Sequence, residues 1–158
     1  MYKKGDKIVY PLYGAGIIED LEEKDIDGSI LTYYALNIPV GNLTIKISAA
    51  KAESLGVRAV LQSDIVMAEL TSISSMVIDM PDNWNLRYKE NMERIKTGEL
   101  PQVAIVFRSL LLRERERGLS TAEKKMMTTA KQILLSELIL SLDIDKQEAE
   151  DILNETIN

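Results

Sequence analysis

Apolar and polar residues alternate with a strand period through the first third of the chain, then switch to helical spacing. Lys7-Ile8-Val9-Tyr10 reads as a short strand stopped by Pro11, and Gly14 and Gly16 mark a bend. Ile17 to Glu23 reads as a second strand and Ile30 to Ile38 as a third, joined by a hairpin turn at Asp27-Gly28. Gly41-Asn42 turns the chain again into Leu43-Thr44-Ile45-Lys46-Ile47-Ser48. Its alternation predicts Leu43, Ile45 and Ile47 toward the core, with Thr44 and Lys46 facing out. Several short strands in so little chain predict a small, highly curved sheet or barrel.

Strand signals stop near Val57. Val60 to Ile73 has mixed helical spacing that Thr71-Ser72-Ile73-Ser74-Ser75 weakens, and four helices are expected in total. One starts at Asp82 or Asn83, both good N-caps, and runs to Thr97-Gly98. The next covers Leu100 to Arg117, with Val103, Val106, Phe107, Leu110 and Leu111 on its apolar face. The capping box Ser120-Thr121-Ala122-Glu123 opens another, with a stripe of Met126, Met127, Ala130, Ile133, Leu134 and Leu138. A last helix from Asp145 buries Ala149, Ile152 and Leu153. The fold class is therefore α+β, with a β domain over residues 1–57 and an all-α domain over 58–158.

Composition narrows the chemistry. With neither cysteine nor histidine, the chain lacks thiolate zinc ligands, the commonest general base and any disulfide framework. No Walker loop, G-x-S-x-G or H-E-x-x-H pattern appears, so an enzyme is not expected, nor a metal, cofactor or small-molecule substrate. No apolar run approaches the roughly 20 residues of a membrane span, and the N-terminus lacks a signal peptide's apolar stretch. The cytoplasm is the compartment that fits. Charge is uneven: residues 1–83 carry 7 basic and 12 acidic groups, 84–131 carry 11 and 6, and 132–158 carry 1 and 7. A cationic middle between acidic ends fits either a polyanion-binding face or ordinary mixing on a helical surface.

Trp84 is the single tryptophan, at the start of a helix on which Trp84, Tyr88, Met92 and Ile95 form one stripe. Arg87 and Arg94 lie on one flank of it, Lys89 and Lys96 on the other. Such an aromatic commonly just extends the core. Alternatively the stripe stops being core at its N-terminal end, Trp84 protrudes against a DNA base step, and Arg87 and Lys89 reach phosphates. A second cluster, Arg113, Arg117, Lys124 and Lys125, is either a solvated helix end or a phosphate-contacting patch. Lys24 and Lys46, on two predicted strands, are either solubilising residues or a docking face for an acidic partner.

Taken in order, these pieces resemble the CarD/CdnL family of bacterial RNA polymerase-binding transcription regulators. Lys4-Gly5-Asp6-Lys7-Ile8-Val9-Tyr10-Pro11 with Gly14-Ala15-Gly16 looks like the family's opening strands. Gly41-Asn42-Leu43-Thr44-Ile45-Lys46 looks like a later strand. Asn83-Trp84 with Arg87-Tyr88-Lys89 looks like the start of its DNA-facing helix. Arg115-Glu116-Arg117-Gly118-Leu119-Ser120, Glu123-Lys124 and Ala130-Lys131-Gln132-Ile133-Leu134 look like its helical-domain signature. The resemblance implies a Tudor-like (SH3-like) barrel that binds the RNA polymerase β subunit, with Lys24 and Lys46 at contact positions often held by arginine. Lysine lacks the bidentate fork of arginine, so docking here would be weaker or differently arranged. It also implies a helical domain on promoter DNA at the upstream edge of the bubble, bringing the protein to the nucleoid. There Trp84 matches the wedge, Arg87 and Lys89 match backbone contacts, and Tyr88, Arg113, Arg117, Lys124 and Lys125 are grouped with them. The rival is a protein–protein adaptor on the polymerase with no DNA contact.

Overall fold

The computed structural model describes residues 1–157. Five antiparallel strands, β1 (Lys7–Tyr10), β2 (Gly14–Ile26), β3 (Ser29–Ile38), β4 (Leu43–Ser48) and β5 (Arg58–Ala59), form one sheet in the order β4-β3-β2-β1-β5. The β2–β3 hairpin closes where Ile26 pairs with Ser29, leaving a two-residue turn at Asp27 and Gly28. Both turn residues have positive φ, 53° and 84°, which Asp and Gly tolerate best. β2 and β3 are longer than the alternation predicts, because the hairpin tip extends past the core into solvent. Ile8, Ile18, Tyr34, Leu36, Ile38 and Ile47 form the centre of the sheet's own core.

The sequence places Leu43, Ile45 and Ile47 all inward. Only Ile47 is buried; Ile45 is half-buried and Leu43 is exposed. β4 is an edge strand, and its first residues run beyond the cover of the core. Thr44 and Lys46 are exposed, as the alternation requires.

Five α-helices follow among the described residues: α1 (Ser63–Ser74), α2 (Trp84–Lys96), α3 (Leu100–Arg117), α4 (Thr121–Leu142) and α5 (Lys146–Ile157). This is one more than expected. The serine- and threonine-rich end of α1 stays helical because Val66, Leu70 and Ile73 are buried against the other helices, and packing overrides weak propensity. The stripes expected on α3, α4 and α5 face a shared core built on Val106, Leu110, Leu134, Leu138 and Leu153. No helix among the described residues is long and apolar enough to cross a membrane.

Sheet and helices meet along α4. The backbone N–H of Ala15 donates to Ser136 Oγ at 2.8 Å, and Lys7 Nζ donates to the Leu140 carbonyl at 2.9 Å. Gly14 has φ +118°, and any Cβ there would stand 2.7 Å from Ser136 Oγ, so this close approach requires glycine. Arg58, on β5, makes a two-pronged ion pair with Glu137 at 2.7 and 2.8 Å. Nη2, one prong of that pair, also donates to the Gly98 carbonyl at 2.9 Å, and Nε donates to the same carbonyl at 3.1 Å. Glu137 also accepts from Leu61 N at 3.0 Å, so one buried carboxylate ties the last strand, the following linker and α4 together.

Removing one partner of a buried pair strands the other's charge. Glu137→Gln is expected to lower stability by about 3 kcal/mol, read as a fall in the urea midpoint of the whole chain.

Candidate nucleic-acid interface

Asn83 caps α2, its side-chain oxygen accepting from Leu86 N at 3.0 Å. The cap fixes the first helical residue, Trp84, at the edge of the bundle. Exposure falls steadily along the stripe that Trp84 begins. Trp84 is 41% exposed, Tyr88 and Met92 are half-buried, and Ile95 is 1% exposed. Of the two readings of this stripe, the geometry matches the one in which it leaves the core at its N-terminal end. The indole stacks on Tyr88 one turn later, with ring centroids 5.1 Å apart and planes 19° from parallel.

The ring is also held from α4. Trp84 Nε1 donates to Ser120 Oγ at 3.1 Å. Ser120 is the N-cap of α4, accepting from Glu123 N at 3.2 Å and donating to Glu123 Oε1 at 3.2 Å. Glu123 in turn receives Arg87 Nε at 2.9 Å and Arg87 Nη2 at 3.3 Å. Arg87 Nη1 donates to the carbonyls of Pro81 and Asp82 at 3.2 and 2.9 Å. Both members of this ion pair are 2% exposed.

Arg87 was expected to reach phosphates beside Trp84. Instead it lies inside the bundle, with its donors committed to Glu123 and two carbonyls. Its place on the flank of the stripe turns it toward α4, and its part is to hold α2 against that helix. The capping box around Ser120 is legible in the sequence, but the tertiary bond from Ser120 to the indole and the ion pair from Glu123 to Arg87 are not.

The remaining cations are distributed around this point. Arg117 Nη1 lies 3.9 Å from Asp82 Oδ1, with both side chains well exposed. Arg113 is half-buried and lines a shallow hollow with Ile78, Met80, Asp82 and Arg117. The end of α3 and the starts of α2 and α4 therefore converge, as the contacts of Arg117 and Ser120 require. Lys124 and Lys125 are exposed in the first turn of α4. Lys125 shares an apolar groove of about 360 Å³ with Tyr88 and Met92. Lys89 is exposed but lines a different hollow, with Leu86, Glu90, Glu93 and Arg94.

On the sheet, Lys24 and Lys46 share one outer face, linked through their neighbours. Lys46 Nζ pairs with Glu22 at 2.7 Å. Glu22 is opposite Tyr33 in the ladder, and Lys24 Nζ stands 5.2 Å from the centre of the Tyr33 ring.

Hydrogen bonds from Arg87 are the main influence on the Glu123 carboxyl and hold it below the usual glutamate range, against the opposing effect of burial. Its folded-state pKa is thus lower than its unfolded value. The resulting stabilisation is complete above the ordinary range, about pH 4.3, and is lost as pH falls through the lowered folded-state value. Glu123→Gln is expected to cost about 3–5 kcal/mol at neutral pH. The gap from wild type in urea unfolding should narrow once pH drops below about 4.3.

Two family models match this chain. That of the CarD C-terminal domain covers residues 57–154, and that of the CarD-like/TRCF RID domain covers residues 2–61. These spans follow the helices and the sheet. The "Putative transcription factor YdeB" of Bacillus subtilis (strain 168) is 37% identical over 138 residues, 87% of this chain and 90% of that protein. The chain belongs to the CarD family of bacterial transcription regulators.

Proposed function

We propose that this regulator docks on the β subunit of RNA polymerase through its sheet and steadies the promoter open complex by setting Trp84 at the upstream edge of the bubble. The exposed, Tyr88-backed indole among surface cations is the observation that carries this reading. A flat aromatic face stacks on any base, a contact worth about 1–3 kcal/mol that tolerates sequence. DNA at the edge of a bubble is already partly unstacked, so a wedge costs less there than in intact duplex. In this reading Arg113, Arg117, Lys124 and Lys125 meet phosphates beside it, and Lys89 does so from the other side of α2. Arg87 supports the wedge from within. Lys24 and Lys46 are the docking residues on the sheet.

The DNA contact is weak by itself. Three phosphate contacts would give a log–log salt slope of about −3, and the net charge of −6 subtracts from the affinity. Tethering on the polymerase raises the effective concentration into the mM range, enough to engage a weak site. A module that prefers the open state by about 1.4 kcal/mol shifts the closed–open equilibrium tenfold.

The test is open-complex lifetime on the polymerase. Trp84→Ala should shorten it about tenfold, to near that of polymerase alone, while capture of the polymerase is unchanged. Equal lifetimes with wild type and variant defeat the wedge. Failure of Trp84 to crosslink to promoter DNA within the complex would favour the adaptor reading, in which Trp84 anchors a second protein.

A further inference from the structure

We infer that Ser120 is the positioning residue for the Trp84 indole, a latch on α4 that holds the ring in its outward pose before any DNA arrives. The functional half of this inference rests on the wedge reading; the structural half does not.

An indole has one polar group, the Nε1–H, and an exposed one ordinarily gives it to water. Here it is given to Ser120 Oγ at 3.1 Å. The stack on Tyr88 restrains the ring from its own helix, and Ser120 restrains it from another. Two supports from two elements remove the rotation that either alone would leave. The hydroxyl itself has no freedom. It donates to Glu123 Oε1 and accepts from both Glu123 N and Trp84 Nε1, which uses its one proton and both lone pairs. Glu123 is kept as a carboxylate by Arg87, so it can only accept, and the lone pairs of Ser120 are turned toward the indole. The buried pair thus acts on the surface ring through one hydroxyl.

Two consequences follow. The only donor of the indole is occupied, so the ring meets a base with its apolar face and edge, which fits contact without sequence preference. The ring is also ordered in advance. Immobilising a free side chain on binding would weaken engagement about two- to tenfold, and the latch avoids that loss.

Trp84 is the single tryptophan in the sequence, so fluorescence excited at the long-wavelength edge of indole absorption, where tyrosine does not absorb, reports on this ring alone. Time-resolved anisotropy is measured on the full chain with Ser120→Ala and with Ser120→Thr, which keeps a hydroxyl and a good cap. Asp145→Ala is the control. Asp145 accepts from Glu148 N at 2.8 Å at the start of α5, so this variant loses a comparable cap away from the indole. Ser120→Ala should add a fast depolarising component, with Ser120→Thr and Asp145→Ala like wild type. An indole equally immobile in Ser120→Ala, or equally loosened in Asp145→Ala, overturns the latch.

The second arm is open-complex lifetime on the polymerase. Ser120→Ala should shorten it about two- to tenfold, and should change nothing further in a Trp84→Phe background. A full Ser120→Ala loss that persists in that background means that the residue acts otherwise than through the indole, and overturns the inference. If Trp84→Ala leaves the lifetime untouched, the wedge reading fails while the anisotropy still decides the latch.

Discussion

A charge taken out of water must be met by an opposite charge in the interior, and α4 presents two such demands. Glu123, at its start, is met by Arg87 of α2; Glu137, toward its end, is met by Arg58 of β5. Fourteen residues separate these carboxylates, which over an α-helix is about 21 Å of rise and nearly a whole number of turns. They lie on almost the same side of one rigid rod. One clamps the helix that bears the exposed tryptophan, and the other clamps the sheet. The distance between the two candidate contact surfaces is therefore set by a helix rather than by a linker.

The two family spans share residues 57–61. The overlap contains Arg58, which belongs to the sheet through its pairing with Val9 and to the helices through Glu137. Glycines serve the same joint: Gly14 admits Ser136, and at Gly98 (φ +69°) a Cβ would stand 2.7 Å from Pro11 Cγ. Sheet and helical bundle each have a core, and a third cluster of Val9, Ala15 and Leu140 joins them.

Much of this is legible in the amino-acid sequence. Turn residues and β-branched runs located the strands, and caps and apolar stripes located α2 to α5, because those features act over a few residues. What failed was whatever depends on neighbours far along the chain. Leu43 alternates correctly, but nothing local says that β4 is an edge. Arg87 sits on the flank of a stripe, and a helical wheel gives direction without depth; its partner is 36 residues away. The same limit left Trp84 undecided, since how far the stripe is covered depends on where α4 begins. The capping box revealed that Ser120 starts a helix, but not that its oxygen reaches a ring on another one.

The pairing of Lys46 with Glu22 has a consequence for recognition. A partner's carboxylate approaching this lysine meets an ammonium that is already engaged. Where that carboxylate displaces Glu22, contact is an exchange of one ion pair for another, so its yield is the difference between two similar energies and responds only shallowly to ionic strength. Selectivity at such a position would come from shape, and from which carboxylate can dislodge Glu22 without stranding it, more than from the attraction of opposite signs.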